Sequence, residues 1–552
     1  MASTTSNPLV TRRHFLHLAA ASSAVTLLAA CGQTAGPTQT QPAVEPTKAK
    51  PVTQPTAVNA VAPAAATAKP GGPKRGGILR IGMSAGIVNF NPYNWRDGHA
   101  GFRRQIYESL LGYNERLEPE PQLAEKWDVS SDGRSVTFHL RQGVKFHSSR
   151  EFTAEDVKFS AEFAMNDESV IPRGLFQPIK GLEIVNKYAI TFRFDTVHPG
   201  VFDIANMCYG IDKESIGSIT NVAIGTGPFK LERYVPNDRI ELVANKDYWQ
   251  LGKPYLDRQV TTIVPDKQAL VLNLESGAID YAAAVTTVDA VRLKEQATKF
   301  KILEDLPGSS MLYLSINTKA EPFTNKKVRQ AMAWSIDRER FCRTALQGLA
   351  KPTCLMWPSN SWAYFADLDG SIGYDLDKAR SLLKEAGFPN GFETELMASS
   401  KRQQVLLDLA VMLQADLRKI GVNAKVVDAE PAVYANRQLS KDTILHTHIY
   451  GRSNLDPGTL VTGAMAWYND KQGSWTRFDN AEYDRLRDEM QSTLDQEKRK
   501  ATARKIQQLV LDELPCCLVT SVPQLNAIGS YVKDVKMNWN HVPLTTETWL
   551  DM

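Results

Sequence analysis

From Gln33 to Arg75 the chain has no aromatic residue and is built mainly of Pro, Thr, Ala, Gln and Val. A stretch of this kind cannot bury enough apolar surface to offset the entropy of being ordered. Pro37, Pro42, Pro46, Pro51 and Pro55 recur at short intervals, which favours a semi-extended spacer. The spacer divides the chain into a short leader and a long region, Gly76–Met552, that must contain whatever folds. That region exceeds what one simple core supports, so two or more lobes are expected.

The leader reads as an export segment. Thr11-Arg12-Arg13-His14-Phe15-Leu16 is a twin-arginine pattern, although His17 stands where a basic residue usually follows, so the Sec route stays open. The apolar run Leu18–Ala30 is too short to span a bilayer. It ends in Leu28-Ala29-Ala30-Cys31-Gly32, which resembles the lipobox of bacterial lipoproteins. That resemblance implies cleavage before Cys31, acylation of the cysteine, and a protein held on the outer face of the cell membrane (or in the periplasm). Each buried methylene would contribute about 0.8 kcal/mol to that attachment.

Charge and cysteine usage exclude several classes. Of the net +3, the leader arginines account for two charges and the spacer for four, which leaves the folded region at −3. A weakly acidic domain is a poor binder of nucleic acid, which needs phosphate neutralisation. Cys208, Cys342, Cys354, Cys516 and Cys517 form no Cys-x-x-Cys pair, so neither a zinc site nor a redox motif is expected. A Cys342–Cys354 disulfide and buried free thiols are both open. His446 and His448 share one strand face, with Thr447 on the other, but no third ligand is near in sequence, and no metal is assigned. Gly-x-Ser-x-Gly and His-Glu-x-x-His are both absent, and His139 and His147 read as scaffold-strand residues. No catalytic residue and no cofactor are assigned.

Strands and helices interleave along the whole region. Ile78–Met83, Val136–Leu140 and Tyr188–Phe194 alternate as half-buried strands, and Ser131-Asp132-Gly133 makes a hairpin turn. Phe229–Tyr234 and Ile240–Ala244 flank a Pro236-Asn237-Asp238 turn. Thr153 through Asp156 has capping-box spacing for a helix. Leu406, Leu409, Leu413, Leu417 and Ile420 mark one helix face that Gly421 ends. Tyr374–Ala386 reads as a helix closed by Gly387, and helical patterns run from Asn480 to Leu511. An α/β architecture with more than one lobe follows.

At this point the motifs match a family. Ala124-Glu125-Lys126-Trp127, then Thr137-Phe138-His139-Leu140 through Lys145-Phe146-His147, then Phe152-Thr153-Ala154-Glu155-Asp156-Val157, resemble the signature of family 5 extracellular solute-binding proteins. Gly225-Thr226-Gly227-Pro228-Phe229, Leu274–Asp280, Val328-Arg329-Gln330-Ala331 and Ala386-Gly387-Phe388 follow in the family's order. Read without a ligand, these motifs are scaffold, with Gly225 and Gly227 serving as turn glycines. The resemblance implies a two-lobed periplasmic-binding-protein-like fold of type II, cluster C, with an extra small domain and a hinge. Lobe I would use 76–115, 220–306 and 522–552, the small domain 116–219, and lobe II 307–521. It also implies a monomeric receptor that closes on a small solute and delivers it to the permease subunits of an ABC importer. Peptide is the first expectation for the solute. An oligosaccharide, or a sensing role without transport, is the alternative.

Peptide-binding relatives hold the ligand backbone by strand addition to exposed edges. The resemblance places that edge at Ile449-Tyr450-Gly451 and the opposite wall at Trp95-Arg96-Asp97. Peptide receptors commonly carry an Asp shortly before the Asp-Pro here, pairing with the ligand ammonium. This chain reads Arg452-Ser453-Asn454-Leu455-Asp456-Pro457, with Ser453 in that place. A hydroxyl cannot match a charge-assisted hydrogen bond, so Asp97 would have to supply the charge, or Arg96 and Arg452 would favour an anionic group. Of the tryptophans, Trp334 sits in a helix pattern, while Trp357 and Trp475 lie in loop-like stretches and are the candidates for stacking.

Overall fold

The computed structural model describes residues 72–94, 103–170, 172–304, 310–451, 455–463, 474–538 and 543–552. The leader, Cys31 and nearly all of the spacer lie outside them. Pro70–Met552 forms one compact unit. Among the described residues no helix is long and apolar enough to cross a membrane.

Three sheets organise this unit. A seven-stranded sheet runs in the order Phe300–Glu304, Leu525–Gly529, Tyr281–Val285, Ile78–Met83, Arg258–Ile263, Arg239–Ala244, Phe229–Val235. A four-stranded antiparallel sheet runs Ala124–Val129, Ser135–Leu140, Ala189–Phe194, Ile179–Asn186. A five-stranded sheet runs Val422–Asp428, Phe392–Ala398, Leu445–Gly451, Ser310–Ile316, Cys516–Ser521. The chain passes twice between the seven- and five-stranded sheets, once across 305–309, which lies outside the described residues, and once at 522–524. The strands flanking both passages are neighbours within their own sheets, which is the covalent arrangement of a hinge.

Local signals account for these elements. The expected hairpin pairs Phe229 with Ala244 and Val235 with Arg239, and Asn237 takes the left-handed turn position at φ 57°. Thr153 and Asp156 form a reciprocal capping box on Ala154–Asn166. Leu406, Leu409, Leu413 and Leu417 are the buried stripe of Gln404–Arg418, and Gly421 follows at φ 84°. The long pattern from Asn480 is two helices, Ala481–Gln491 and Gln496–Glu513, because Asp495 caps a second start.

One core cluster is continuous through the seven- and four-stranded sheets, joining Leu79 and Leu242 to Phe138 and Phe192. Two further clusters cover the five-stranded sheet, one under Gln404–Arg418 and one under the Ala481–Gln491 and Gln496–Glu513 pair. Leu455, although it follows the five-stranded sheet's central strand, is buried in the first cluster. It pins that segment across the boundary between sheets, with full burial of such a side chain worth about 1.5–3 kcal/mol.

Cys208, Cys342, Cys354, Cys516 and Cys517 are all free and buried, the second of the two arrangements that the sequence left open. Other expectations are corrected. Gly225 and Gly227 are needed for close approach rather than for a positive φ. A Cβ on Gly225 would overlap the Ile106 carbonyl oxygen, and one on Gly227 would sit 2.6 Å from the Gln105 oxygen. Trp334 is only half-buried, with Lys378 Nζ over its ring at 3.5 Å. His147 lies in a turn, not a strand.

That turn explains a fixed imidazole. Gly225 N–H donates to His147 Nδ1 (3.4 Å), so Nε2 carries the proton and donates to Gly227 O (3.0 Å). Burial pushes the pKa of His147 down to about 4. His198 is likewise lowered to about 4 and His446 to about 3, both through desolvation. Two buried carboxyls oppose them: burial raises Glu108 to about 7 and, with repulsion from Asp456, Asp203 to about 6. Depressed histidines contribute stability that is lost as pH falls from 6.5 toward 4, whereas raised carboxyls gain stability over an overlapping range. Each group is worth about 1.4 kcal/mol per pH unit, so these imidazoles, together with the similarly depressed His448, outweigh two carboxyls. Urea unfolding is therefore expected to show a loss of about 3 kcal/mol or more in stability at pH 4 relative to pH 6.5. An unchanged midpoint would show that the imidazoles are already protonated in the fold.

Candidate functional site

The Leu445–Gly451 strand is interior to its sheet, not at its edge as expected, but it is flanked on both sides over only part of its length. Its antiparallel ladder with Ser310–Ile316 continues to Gly451. Its parallel ladder with Phe392–Ala398 stops at His446. Thr447–Gly451 therefore has a described strand neighbour on one side only. Thr447 O is taken by the Tyr434 hydroxyl, and the backbone beyond it to Gly451 offers the groups that strand addition requires.

The expected ligand residues fall into two groups. Trp95, Arg96, Asp97, Arg452, Ser453 and Asn454 lie outside the described residues. Ile449, Tyr450 and Gly451 end the half-paired segment. Tyr450 is buried and its hydroxyl donates to Met356 O (2.7 Å). Trp357 departs from its expected role as an open stacking face. It is 1% exposed, packs in the core beneath Gln496–Glu513, and donates its indole N–H to Pro457 O (3.2 Å). Its loop position in sequence concealed this burial. Trp475 is half-buried and lies edge-on to His448, with ring centroids 4.5 Å apart at 84°.

His446 and His448 face the same way, as their spacing required, and are enclosed by aromatic rings. The Tyr434 hydroxyl donates to Thr447 O (2.6 Å), and His448 Nδ1 lies within hydrogen-bond distance of both the Tyr434 oxygen (2.9 Å) and the Gln438 amide Nε2 (3.3 Å). Desolvation, reinforced by His446 and Arg402, holds the pKa of His448 well below the ordinary value. Among the described residues no group of three or more His, Cys, Asp or Glu side chains is placed to hold a metal ion.

Immediately after the half-paired segment, a buried polar contact joins two parts of the unit. Asp203, on the short helix Val201–Met207, accepts from the backbone N–H of Leu455 (3.2 Å) and of Asp456 (3.2 Å), and from the Tyr113 hydroxyl (2.7 Å). The Asp456 carboxylate accepts from Gly458 N–H (2.9 Å) and from Arg499 Nη1 (2.8 Å), with Arg499 Nη2 completing a bidentate pair. Asp203, Asp456 and Arg499 are all at least nine-tenths buried. Nearby, Asn360 Nδ2 donates to Glu115 O (3.0 Å), a second link between the two parts. Sequence reading did not single out Asp203 or Arg499. The one available hint was Asp456-Pro457 at a helix start.

The family described as bacterial extracellular solute-binding proteins, family 5 Middle, matches residues 118–472. Heme-binding protein A of Haemophilus influenzae is 30% identical over 465 residues, covering 77% of this chain and 82% of that protein. The dipeptide-binding protein of Escherichia coli is 29% identical over 518 residues, covering 83% and 96%. Among solved structures, the periplasmic binding protein DppA from Helicobacter pylori in complex with the peptide STSA superposes with a TM-score of 0.72. It is 26% identical, with 87% of this chain and 99% of that one covered.

Proposed function

Because the chain belongs to the family 5 extracellular solute-binding proteins of bacteria, we propose that it is an extracytoplasmic receptor that captures a short peptide and passes it to an ABC importer. The observation that carries the peptide reading is the half-paired Thr447–Gly451 segment. A strand laid along it gains backbone hydrogen bonds whatever its side chains are. Relatives named for dipeptide and oligopeptide binding support the same reading. Burial of Trp357 removes one of the two loop tryptophans that would have served a sugar ring, so peptide is preferred to oligosaccharide. The Cys31 segment supports attachment to the membrane surface through lipid, with the spacer setting the reach.

A thermal-shift panel of peptides of two to five residues, set against oligosaccharides, tests the proposal. A ligand at a hundred times its Kd adds about 2.7 kcal/mol of stability. Peptides are expected to raise the melting temperature and oligosaccharides to leave it unchanged. Since Ser453 replaces the ammonium-binding carboxylate, N-acetylation is expected to weaken binding by less than about tenfold, below the usual worth of a charged hydrogen bond. Stabilisation by sugars alone would overturn the reading.

A further inference from the structure

Four buried polar atoms on one side of the five-stranded sheet have no hydrogen-bond partner among the described residues: Tyr313 Oη, Ser315 Oγ, His446 Nε2 and Trp475 Nε1. Register brings them together. Tyr313 is opposite His448 and Ser315 is opposite His446 across the same ladder, so the side chains of Tyr313, Ser315, His446 and His448 share a face. Trp475 sits against that face, with its ring centroid 4.5 Å from His448 and 6.2 Å from His446. No described hydrogen bond reaches His448 Nε2 either; its described contacts are both at Nδ1. Tyr313, Ser315 and His446 are at most 1% exposed, while Trp475, half-buried, forms the rim.

Buried polar atoms in folded proteins almost always find a partner, and an unmet one is costly. Here the unmet set holds an indole N–H that only donates, beside imidazole nitrogens and hydroxyls that can accept. A guest that offers an acceptor and a donor together satisfies most of it. The guest must also be uncharged. Both imidazoles are neutral, and the charged group the contacts place nearby, Arg402, lies over the Tyr434 ring at 5.2 Å. An ion placed there would lose its hydration without gaining a counter-charge.

We infer that Tyr313, Ser315, His446, His448 and Trp475 form a subsite for an uncharged amide group of the captured solute, such as an Asn or Gln side chain. The subsite lies on the strand that ends in the half-paired segment, and the inference rests on the solute-capture reading above.

The test uses the full chain, labelled with 15N, with the Trp475 indole resonance assigned from the Trp475→Phe variant. Titration with acetamide is expected to shift that resonance saturably, and acetate at the same concentrations is not. Tyr313→Phe, which removes one hydroxyl and keeps the ring, is expected to weaken acetamide binding about tenfold. A lack of saturable response to acetamide, or an equal response to acetate, would overturn the subsite. If acetamide binds while no peptide stabilises the protein, the peptide reading falls and the subsite stands. If peptides bind and acetamide does not, the subsite alone falls.

Discussion

Arg499→Met is expected to lower unfolding stability by about 3–5 kcal/mol, read as the shift in a urea transition at pH 7. Arg499 is the bidentate counter-ion of Asp456, and Asp456 lies beside a second buried carboxylate, Asp203. Removing the guanidinium strands two negative charges in a dry setting, which costs far more than the intact pair contributes. The compensating variant separates these quantities. Adding Asp456→Asn to Arg499→Met is expected to recover most of the loss, because an amide still accepts from Gly458 N–H without needing a counter-charge. Acidification toward pH 5.5 is expected to recover part of it too, since Asp203, raised to about 6, takes up a proton and relieves the repulsion. A loss below about 1 kcal/mol would mean the pair behaves as a solvated surface contact.

Gly225→Ala is expected to cost about 3 kcal/mol or more, because the added methyl meets a backbone carbonyl that cannot rotate away. The Ile106 oxygen in its path accepts from Gly227 N–H (2.9 Å), while Gly225 O accepts from His147 N–H (2.8 Å). Relief of the clash therefore strains hydrogen bonds on both sides of the turn. Gly174→Ala is the control. Gly174 lies within the short helix Arg173–Phe176 with nothing within 4 Å of a Cβ, and the change is expected to be neutral or mildly stabilising. Similar melting temperatures for the two variants would mean that the Gly225 turn yields.

Sequence reading reached features whose cause is local. Thr153 and Asp156 cap their helix because they are three residues apart, and Asn237 turns a hairpin because its own backbone tolerates the conformation. Family motifs supplied the lobes and the half-paired strand's position, although not its interior place in the sheet. What stayed hidden depends on distant residues meeting. Asp203 and Leu455 are 252 positions apart, so nothing around Asp203 in sequence marks it as their junction. Trp357 sits in irregular backbone, which reads as surface until the helices that cover it are placed. The imidazoles of His446 and His448 were legible as neighbours, but their neutrality comes from burial beneath Tyr434 and Trp475.

The order of strands also governs how the chain is assembled during synthesis. Among the described strands Phe300–Glu304 pairs only with Leu525–Gly529, and that late strand lies between it and Tyr281–Val285. The first sheet to begin is thus the last to close, with more than two hundred residues of the second sheet emerging in between. Until the final segment leaves the ribosome, two of its strands expose unpaired backbone beside apolar surface. Such non-local pairing is slow and open to aggregation. Loss of the last thirty residues therefore removes an inner strand rather than a dispensable tail.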